Sequence, residues 1–193
     1  MIARRDPKVL SPMVACIMIS SASLMLSACG KTVEFKEEVQ LFGSDKKVIL
    51  ERREVFEPRI TGHDYSQTYI RSELSIVGSK IPVWKERLHP IYFGEFSAEA
   101  SYFLVATIAD SAGGNLRGKP NCPYVVFAAA DQGWREIPMP KYLDGRAANL
   151  LLGVLKNLSE SKFVTKERAE EENRRREFSP SHKTIQLSAR NGC

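Results

Sequence analysis

Val33-Glu34-Phe35-Lys36-Glu37-Glu38-Val39-Gln40-Leu41 carries apolar side chains at 33, 35, 39 and 41. A period of two puts them on one face of an extended chain. The stretch is therefore read as a half-buried β-strand. Gly43-Ser44-Asp45 follows as a turn signal, and Lys46 to Phe56 resumes the strand pattern through Val48, Leu50, Val55 and Phe56. Two such runs across a short turn predict an antiparallel hairpin.

The chain beyond repeats the theme. Pro58 to Ser66 reads as a loop centred on Gly62-His63-Asp64, and Thr68 to Val77 as the next strand. Ile70, Leu74 and Ile76 share one face of it, with Tyr69 and Val77 on the other. Pro82 and Pro90 frame a short piece with Val83 and Trp84, where prolines point to edge strands or irregular chain. Ile91-Tyr92-Phe93 and Ser101 to Ile108 are strongly β-prone, the second fit for a buried central strand. Ser111 to Pro120 is a glycine-rich loop. Tyr124-Val125-Val126-Phe127 and Trp134-Arg135-Glu136-Ile137 flank Asp131-Gln132-Gly133 as a second hairpin.

After Pro140 the pattern changes. Ala147 to Leu158 has helical spacing through Leu151, Leu152, Leu155 and Leu158. Thr165 to Glu177 is dense in Glu and Arg, with Glu170–Arg174, Glu171–Arg175 and Glu172–Arg176 spaced to support an exposed helix. Thr184, Ile185 and Leu187 suit a last short strand. The expected fold class is α+β, mostly antiparallel β-sheet with hairpins and a late, charged C-terminal helix, with helical segments about 147–177.

At the other end, Arg4, Arg5 and Lys8 precede an uncharged run from Ser11 to Met25. That run is about 15 residues, too short to cross ~30 Å of hydrocarbon as a helix. A basic head, a short apolar core and a small-residue exit form a secretory signal. The exit, Leu26-Ser27-Ala28-Cys29, resembles a bacterial lipobox. The resemblance implies peptidase recognition at Leu26, Ser27 and Ala28, cleavage before Cys29, and lipidation of the Cys29 thiol. It implies residues 1–28 as a lipoprotein signal peptide and 29–193 as a single β-rich periplasmic domain. Two or more acyl chains anchor stably where one is marginal. Gly30, where an Asp would signal inner-membrane retention, leans the placement to the outer membrane facing the periplasm. The segments Phe35-Lys36-Glu37-Glu38-Val39 and Cys122-Pro123-Tyr124-Val125-Val126-Phe127 give the mature part a resemblance to small proteobacterial lipoproteins with no established activity.

Removal of residues 1–28 takes three of the 28 bases (Arg4, Arg5, Lys8) and one of the 23 acids (Asp6), so the rest is net +3. Such a mild charge gives no argument for nucleic acid. Lys31, Lys36, Lys46 and Lys47 concentrate near the anchor and the first turn. They suggest that the end of the domain bearing the first hairpin lies on the membrane, the alternative being that these lysines are simply solvated and the domain tumbles on its lipid. Cys16 leaves with the signal and Cys29 is lipidated, so Cys122 and Cys193 remain as a disulfide pair in an oxidising compartment. Two free thiols, or a bridge between molecules, are the alternatives.

No catalytic set emerges. Gly113-Gly114-Asn115-Leu116-Arg117-Gly118-Lys119 imitates a phosphate-binding loop, but Pro120 stands where a Ser or Thr must meet Mg²⁺. His63, His89 and His182 have no metal-ligand spacing, so no metal and no cofactor are expected. Arg174-Arg175-Arg176 is offset by the acids at 170–172. Trp84, Tyr92, Phe93, Phe96, Tyr102 and Phe103 are read mainly as core, with an exposed subset as a partner surface. The expected function is a non-enzymatic binding or structural module of the cell envelope, held at the membrane by a lipid. Its expected partner is an envelope protein or an anionic envelope polymer. A small envelope hydrolase using His63 is the alternative, and an inhibitor or immunity lipoprotein is a further one.

Overall fold

The computed structural model of the chain describes residues 30–61, 64–96, 101–108, 122–153 and 162–187. It is built mostly of antiparallel strands in two sheets, with a late helix. The first sheet has the order β4-β3-β2-β1-β9. Its strands are β1 (Lys31–Gln40), β2 (Lys47–Thr61), β3 (Asp64–Ile76), β4 (Trp84–Glu86) and β9 (Phe163–Val164). The second runs β5-β6-β7-β8, from β5 (Leu88–Glu95), β6 (Tyr102–Ile108), β7 (Tyr124–Ala130) and β8 (Gly133–Ile137). Among the described strands only the short β1–β9 pair is parallel. Helix α1 (Lys166–Arg175) and a single turn, α2 (Pro180–Lys183), follow.

The sheets pack face to face because each turns an apolar side to the other. Val39, Leu41, Val48, Leu50, Leu74 and Trp84 of the larger sheet share a core with Leu88, Phe93, Leu104, Val125 and Phe127 of the smaller. The opposite side of the smaller sheet is also buried. There Tyr92, Phe103, Val105, Tyr124 and Val126 meet Leu143, Leu152 and Ile185 from the late part of the chain. Apolar cover on both sides explains why β6 and β7 read as continuous apolar runs rather than alternating ones.

Both hairpins read from the sequence form. β1 pairs with β2 from Lys31↔Phe56 to Gln40↔Lys47. β7 pairs with β8 about Asp131 and Gln132, with Gly133 at positive φ. The central placement of β6 also holds, between β5 and β7. Prolines fall where a missing N–H is harmless, Pro82 just ahead of edge strand β4 and Pro90 at a register shift in β5.

Two readings are corrected, and a register shift joins them. Pro58 to Ser66 is not a loop: β2 continues to Thr61 and β3 starts at Asp64, pairing through Pro58↔Gln67. Pro58 is tolerated because the β1–β2 pairing stops at Lys31↔Phe56, so among the described residues that stretch of β2 has β3 as its one strand partner. A bulge between Val55 and Phe56 also shifts the register. Across such a bulge the alternation of faces changes, and Tyr69, not Ile70, pairs with Phe56. Finally, the first turn and the start of β1 lie at opposite ends of the sheet. Ten residues of strand at ~3.3 Å each separate them by about 33 Å. Lys46 and Lys47 at that far end pair with Glu95 and Glu38. The strand end beside Gly30 bears Lys31 and Phe56 instead.

The helix expected over Ala147 to Leu158 is the largest correction. Residues 147–153 form an irregular strap, and 154–161 lie outside the described residues. Leu150, Leu151 and Leu152 each enter a different apolar cluster: Leu150 between the sheets, Leu151 against Phe35 and Ala169, Leu152 behind the smaller sheet. A helix presents consecutive residues only ~100° apart and has one buried stripe. A strap at the junction of three cores buries all three leucines. The charged helix itself is present as α1, with Thr165 accepting from the Arg168 N–H as its cap. Glu172–Arg176 closes at 3.4 Å, and Glu170 pairs with Lys166 at 3.8 Å. The last strand reduces to an isolated bridge, Ala147↔Thr184.

Candidate functional site

The outer side of the larger sheet is open and charged. Alternation aims Glu34 and Lys36 of β1, Glu51 and Arg53 of β2, and Glu73 and Ser75 of β3 away from the core. They line a groove of about 530 Å³ with Val83 toward the β4 edge and Lys162 and Phe163 at the β9 edge. Val83 is 55% exposed and Phe163 39%. Register places Lys36 beside Glu51 and sets Glu34, Arg53 and Glu73 in one row. The ion pairs follow: Lys36–Glu51 at 3.1 Å, Arg53–Glu34 at 3.2 Å and Arg53–Glu73 at 3.3 Å.

Glu73 is the hub of this face. Arg71 reaches it at 2.7 Å and Lys85 at 3.6 Å. Burial pushes its carboxyl up, but hydrogen bonding by Arg71 and the charges of Arg53, Arg71 and Lys85 outweigh that and hold it below its ordinary value. The other members are half-exposed, so their pairs contribute little to stability and re-pair cheaply with an arriving ligand. Arg52 also lines the groove, but its guanidinium is taken up by Glu37 and Glu54 on the inner side; of the remaining charges, Glu34, Glu51 and Glu73 balance Lys36, Arg53 and Lys162.

The inner side of the same sheet holds a second cluster, fully enclosed. Glu37, Arg52, Glu54 and Ser72 are all buried. Arg52 Nη1 donates to Glu37 at 2.9 Å and to the Leu151 carbonyl at 2.8 Å, and Nη2 donates to Glu54 at 2.7 Å. The Leu151 N–H donates to the other Glu37 oxygen. Ser72 Oγ touches Glu54 closely and lies 2.8 Å from the Tyr69 hydroxyl, which donates to the Leu88 carbonyl at 2.6 Å. Burial pushes the Glu37 carboxyl up, opposed by the charge and hydrogen bond of Arg52. Burial alone pulls the Arg52 guanidinium down, and Glu37 and Glu54 more than reverse it. Burial raises the Tyr69 hydroxyl well above its ordinary value.

This cluster is one of three side-chain clamps on the strap. Asn173 of α1 donates to the Leu150 carbonyl and accepts from the Leu152 N–H, both at 2.8 Å. Asn149 makes the same reciprocal pair with the backbone of Phe93, again at 2.8 Å. An irregular buried segment must satisfy its peptide groups somewhere, and here side chains stand in for a ladder.

The sequence contains a signal for the cluster that period-two reading passes over. Glu37 has the same parity as Val33, Phe35, Val39 and Leu41, and Arg52 and Glu54 share parity with Val48 and Leu50. Charges on the buried parity of neighbouring strands mark a paired internal site.

Of the residues singled out from sequence, Leu26, Ser27, Ala28, Cys29, His63, Cys193 and the Gly113–Lys119 loop lie outside the described residues. Cys122 is buried at the start of β7, in the same cluster as Ile185 and Leu187. The His89 ring lies against Tyr69, with ring centres 4.1 Å apart and planes tilted by 38°. His182 Nδ1 touches Ser179 Oγ, a contact that one helical turn produces between residues three apart. Trp84, Tyr92, Phe93 and Phe103 are buried in the core as expected, and Phe96 and Tyr102 are only partly buried. Among the described residues Phe42, Tyr142 and Phe163 are the aromatics with the largest exposure. Among the described residues there is no cluster of His, Cys, Asp or Glu suited to a metal, and no helix long and apolar enough to cross a membrane.

Fold and site together define a two-sheet β protein with an open charged groove on one outer face. No family model, no curated protein and no solved structure matches the chain.

Proposed function

We propose that this chain is a lipid-anchored periplasmic lipoprotein that acts as a non-enzymatic binding module of the cell envelope, with the outer groove of the larger sheet as its docking face. The observation that carries this reading is the groove itself: about 530 Å³, floored by exposed, re-pairable charges and flanked by exposed Val83 and Phe163. Balanced charge favours an envelope protein over an anionic polymer. A polymer of one sign would meet Glu34, Glu51 and Glu73 as often as Lys36, Arg53 and Lys162. A protein strand or loop carrying both signs with apolar flanks complements it. The lipid anchor at Cys29 fits this role, because only Gly30 separates it from the start of β1. The membrane would then hold the sheet close to other envelope components.

Two more expectations belong to this reading. The outer membrane facing the periplasm is the proposed site, on the lipobox and Gly30. A Cys122–Cys193 bridge is the proposed covalent tie. Leu187 already packs in the cluster of Cys122. Six further residues reach on the order of 20 Å, so Cys193 is within range.

The test is photo-crosslinking in living cells from a photoreactive residue at Ser75, with Tyr142 on another surface as control. The expected result is one envelope protein captured from position 75, not from 142, and lost on Arg53→Glu. Salt-sensitive binding of a purified anionic envelope polymer that Arg53→Glu leaves unchanged, with no protein captured at 75, would reject the reading.

A further inference from the structure

We propose that the envelope protein docked on the outer groove is a second copy of this chain, the two larger sheets meeting outer face to outer face about a two-fold axis parallel to their strands. This rests on the docking reading above and names its partner. The order of charge across the sheet carries it. Register sets Glu34 of β1, Arg53 of β2, Glu73 of β3 and Lys85 of β4 in one row at right angles to the strands. The row reads minus, plus, minus, plus. An even, alternating row changes sign when it is reversed end for end. A two-fold axis between β2 and β3 makes that reversal and lays the row on its own copy. Glu34 then faces the partner's Lys85, and Arg53 faces the partner's Glu73. Symmetry makes each pair twice, and no like charges meet.

The neighbouring row obeys the same operation. It runs Phe163, Lys36, Glu51 and Ser75 from β9 to β3. Val83, one residue ahead of Trp84, continues it at the β4 edge. Reversal sets Glu51 against the partner's Ser75, a carboxylate against a hydroxyl donor. It sets Lys36 against the partner's Val83, with Phe163 alongside, so the Lys36 stem and the Phe163 ring cover that valine. Val83 and Phe163 are both exposed and stand at opposite edges of one sheet. Across the axis they become neighbours.

The lipid anchor chooses this axis over its alternative. An axis running across the strands also matches charges, setting Lys36 against the partner's Glu34 and Glu51 against the partner's Arg53. It reverses the strand direction, however, and holds the two Gly30 ends about 33 Å apart at ~3.3 Å per residue, pointing opposite ways. An axis along the strands keeps both β1 strands pointing the same way. Both Gly30 ends, with Cys29 ahead of each, then meet one bilayer.

The area sets the strength. From β9 to β4 the face spans about 19 Å at ~4.8 Å per strand, and from the row of Thr32 to that of Glu38 about 20 Å. This gives about 400 Å² a copy and about 800 Å² in all, under the ~1,200 Å² at which stable interfaces begin. Facing sheets also cross at about 30°, which shifts the outer pairs by about 4 Å, within reach of Lys and Arg side chains. The pair is therefore weak between free molecules. Confinement of both copies to one bilayer supplies the concentration it needs.

The experiment is photo-crosslinking in living cells from a photoreactive residue at Ser75, with the full-length chain expressed under two different epitope tags. The expected adduct carries both tags and peptides of this chain alone. Glu34→Lys and Lys85→Glu, each by itself, are expected to cut it at least about tenfold, because symmetry turns one reversal into two like-charge contacts. Co-expressed under different tags, the two variants are expected to restore it between tags, since every reversed charge then faces an opposite one. Glu34 and Lys85 stand at the two ends of the row, about 14 Å apart at ~4.8 Å per strand, so no contact within one chain produces that rescue. Capture of a protein of another sequence overturns this proposal and leaves the docking reading standing. Nothing captured from position 75 overturns both. A self-adduct that survives either reversal, or that the mixed variants do not restore, overturns the two-fold arrangement. Should either variant fail to accumulate, the composition of the wild-type adduct decides.

Discussion

Asn173→Ala is the sharpest probe of how the strap is held. The Asn173 amide satisfies two backbone groups, the Leu150 carbonyl and the Leu152 N–H, each at 2.8 Å and in a buried setting. Alanine removes both partners at once and leaves donor and acceptor unmet. Each stranded group costs ~1–3 kcal/mol. The vacated amide volume can admit a water that recovers part of this, so the expected loss is ~2–4 kcal/mol. With a slope of ~2 kcal/mol per molar urea for a chain of this size, the midpoint falls by about 1–2 M. The slope itself should not change. Hydrogen exchange gives a local check: the Leu152 amide should lose protection before the β6 and β7 amides do. Asn173→Asp adds a directional test. An ionised Asp turns oxygen against the Leu150 carbonyl, so its folded-state carboxyl is raised, and acidification should restore stability. If Asn173→Ala costs less than ~0.5 kcal/mol, or Asn173→Asp does not respond to acid, the clamp is not what holds the strap.

Cys29→Ala should release the protein from membranes and abolish incorporation of labelled fatty acid; label persisting on the variant would refute the lipobox. Mass spectrometry of non-reduced protein from the periplasm should show the Cys122 and Cys193 peptides linked, and two alkylatable thiols would refute the bridge. Glu73→Gln should flatten part of the acid limb of the stability profile. Its folded carboxyl is held below the ordinary value, so its contribution is present above the unfolded value and lost as pH falls through the folded one. An unchanged acid limb would show that the Arg53, Arg71 and Lys85 pairs are inert.

What the sequence determined by itself is everything written in local periodicity. Val33 to Leu41 and Lys46 to Phe56 specify a hairpin because alternation, turn residues and β-prone side chains agree over short range. The same holds for β7 and β8 around Asp131-Gln132-Gly133, and for α1, whose charge spacing and Thr165 cap are local facts. The tertiary structure decided whatever depends on two or more distant segments. Leu150-Leu151-Leu152 reads as part of a helix until three separate cores compete for its side chains. Pro58 reads as a breaker until β3 pairs alongside it beyond the last β1–β2 partner, Phe56. Glu37, Arg52 and Glu54 lie on the buried parity of their strands, but a one-dimensional pattern does not show that pairing brings them onto a single guanidinium with Ser72 and Tyr69 behind it. The groove is likewise invisible in the chain: its charges are ordinary outward-facing strand residues, and only the register across the sheet assembles them into one face.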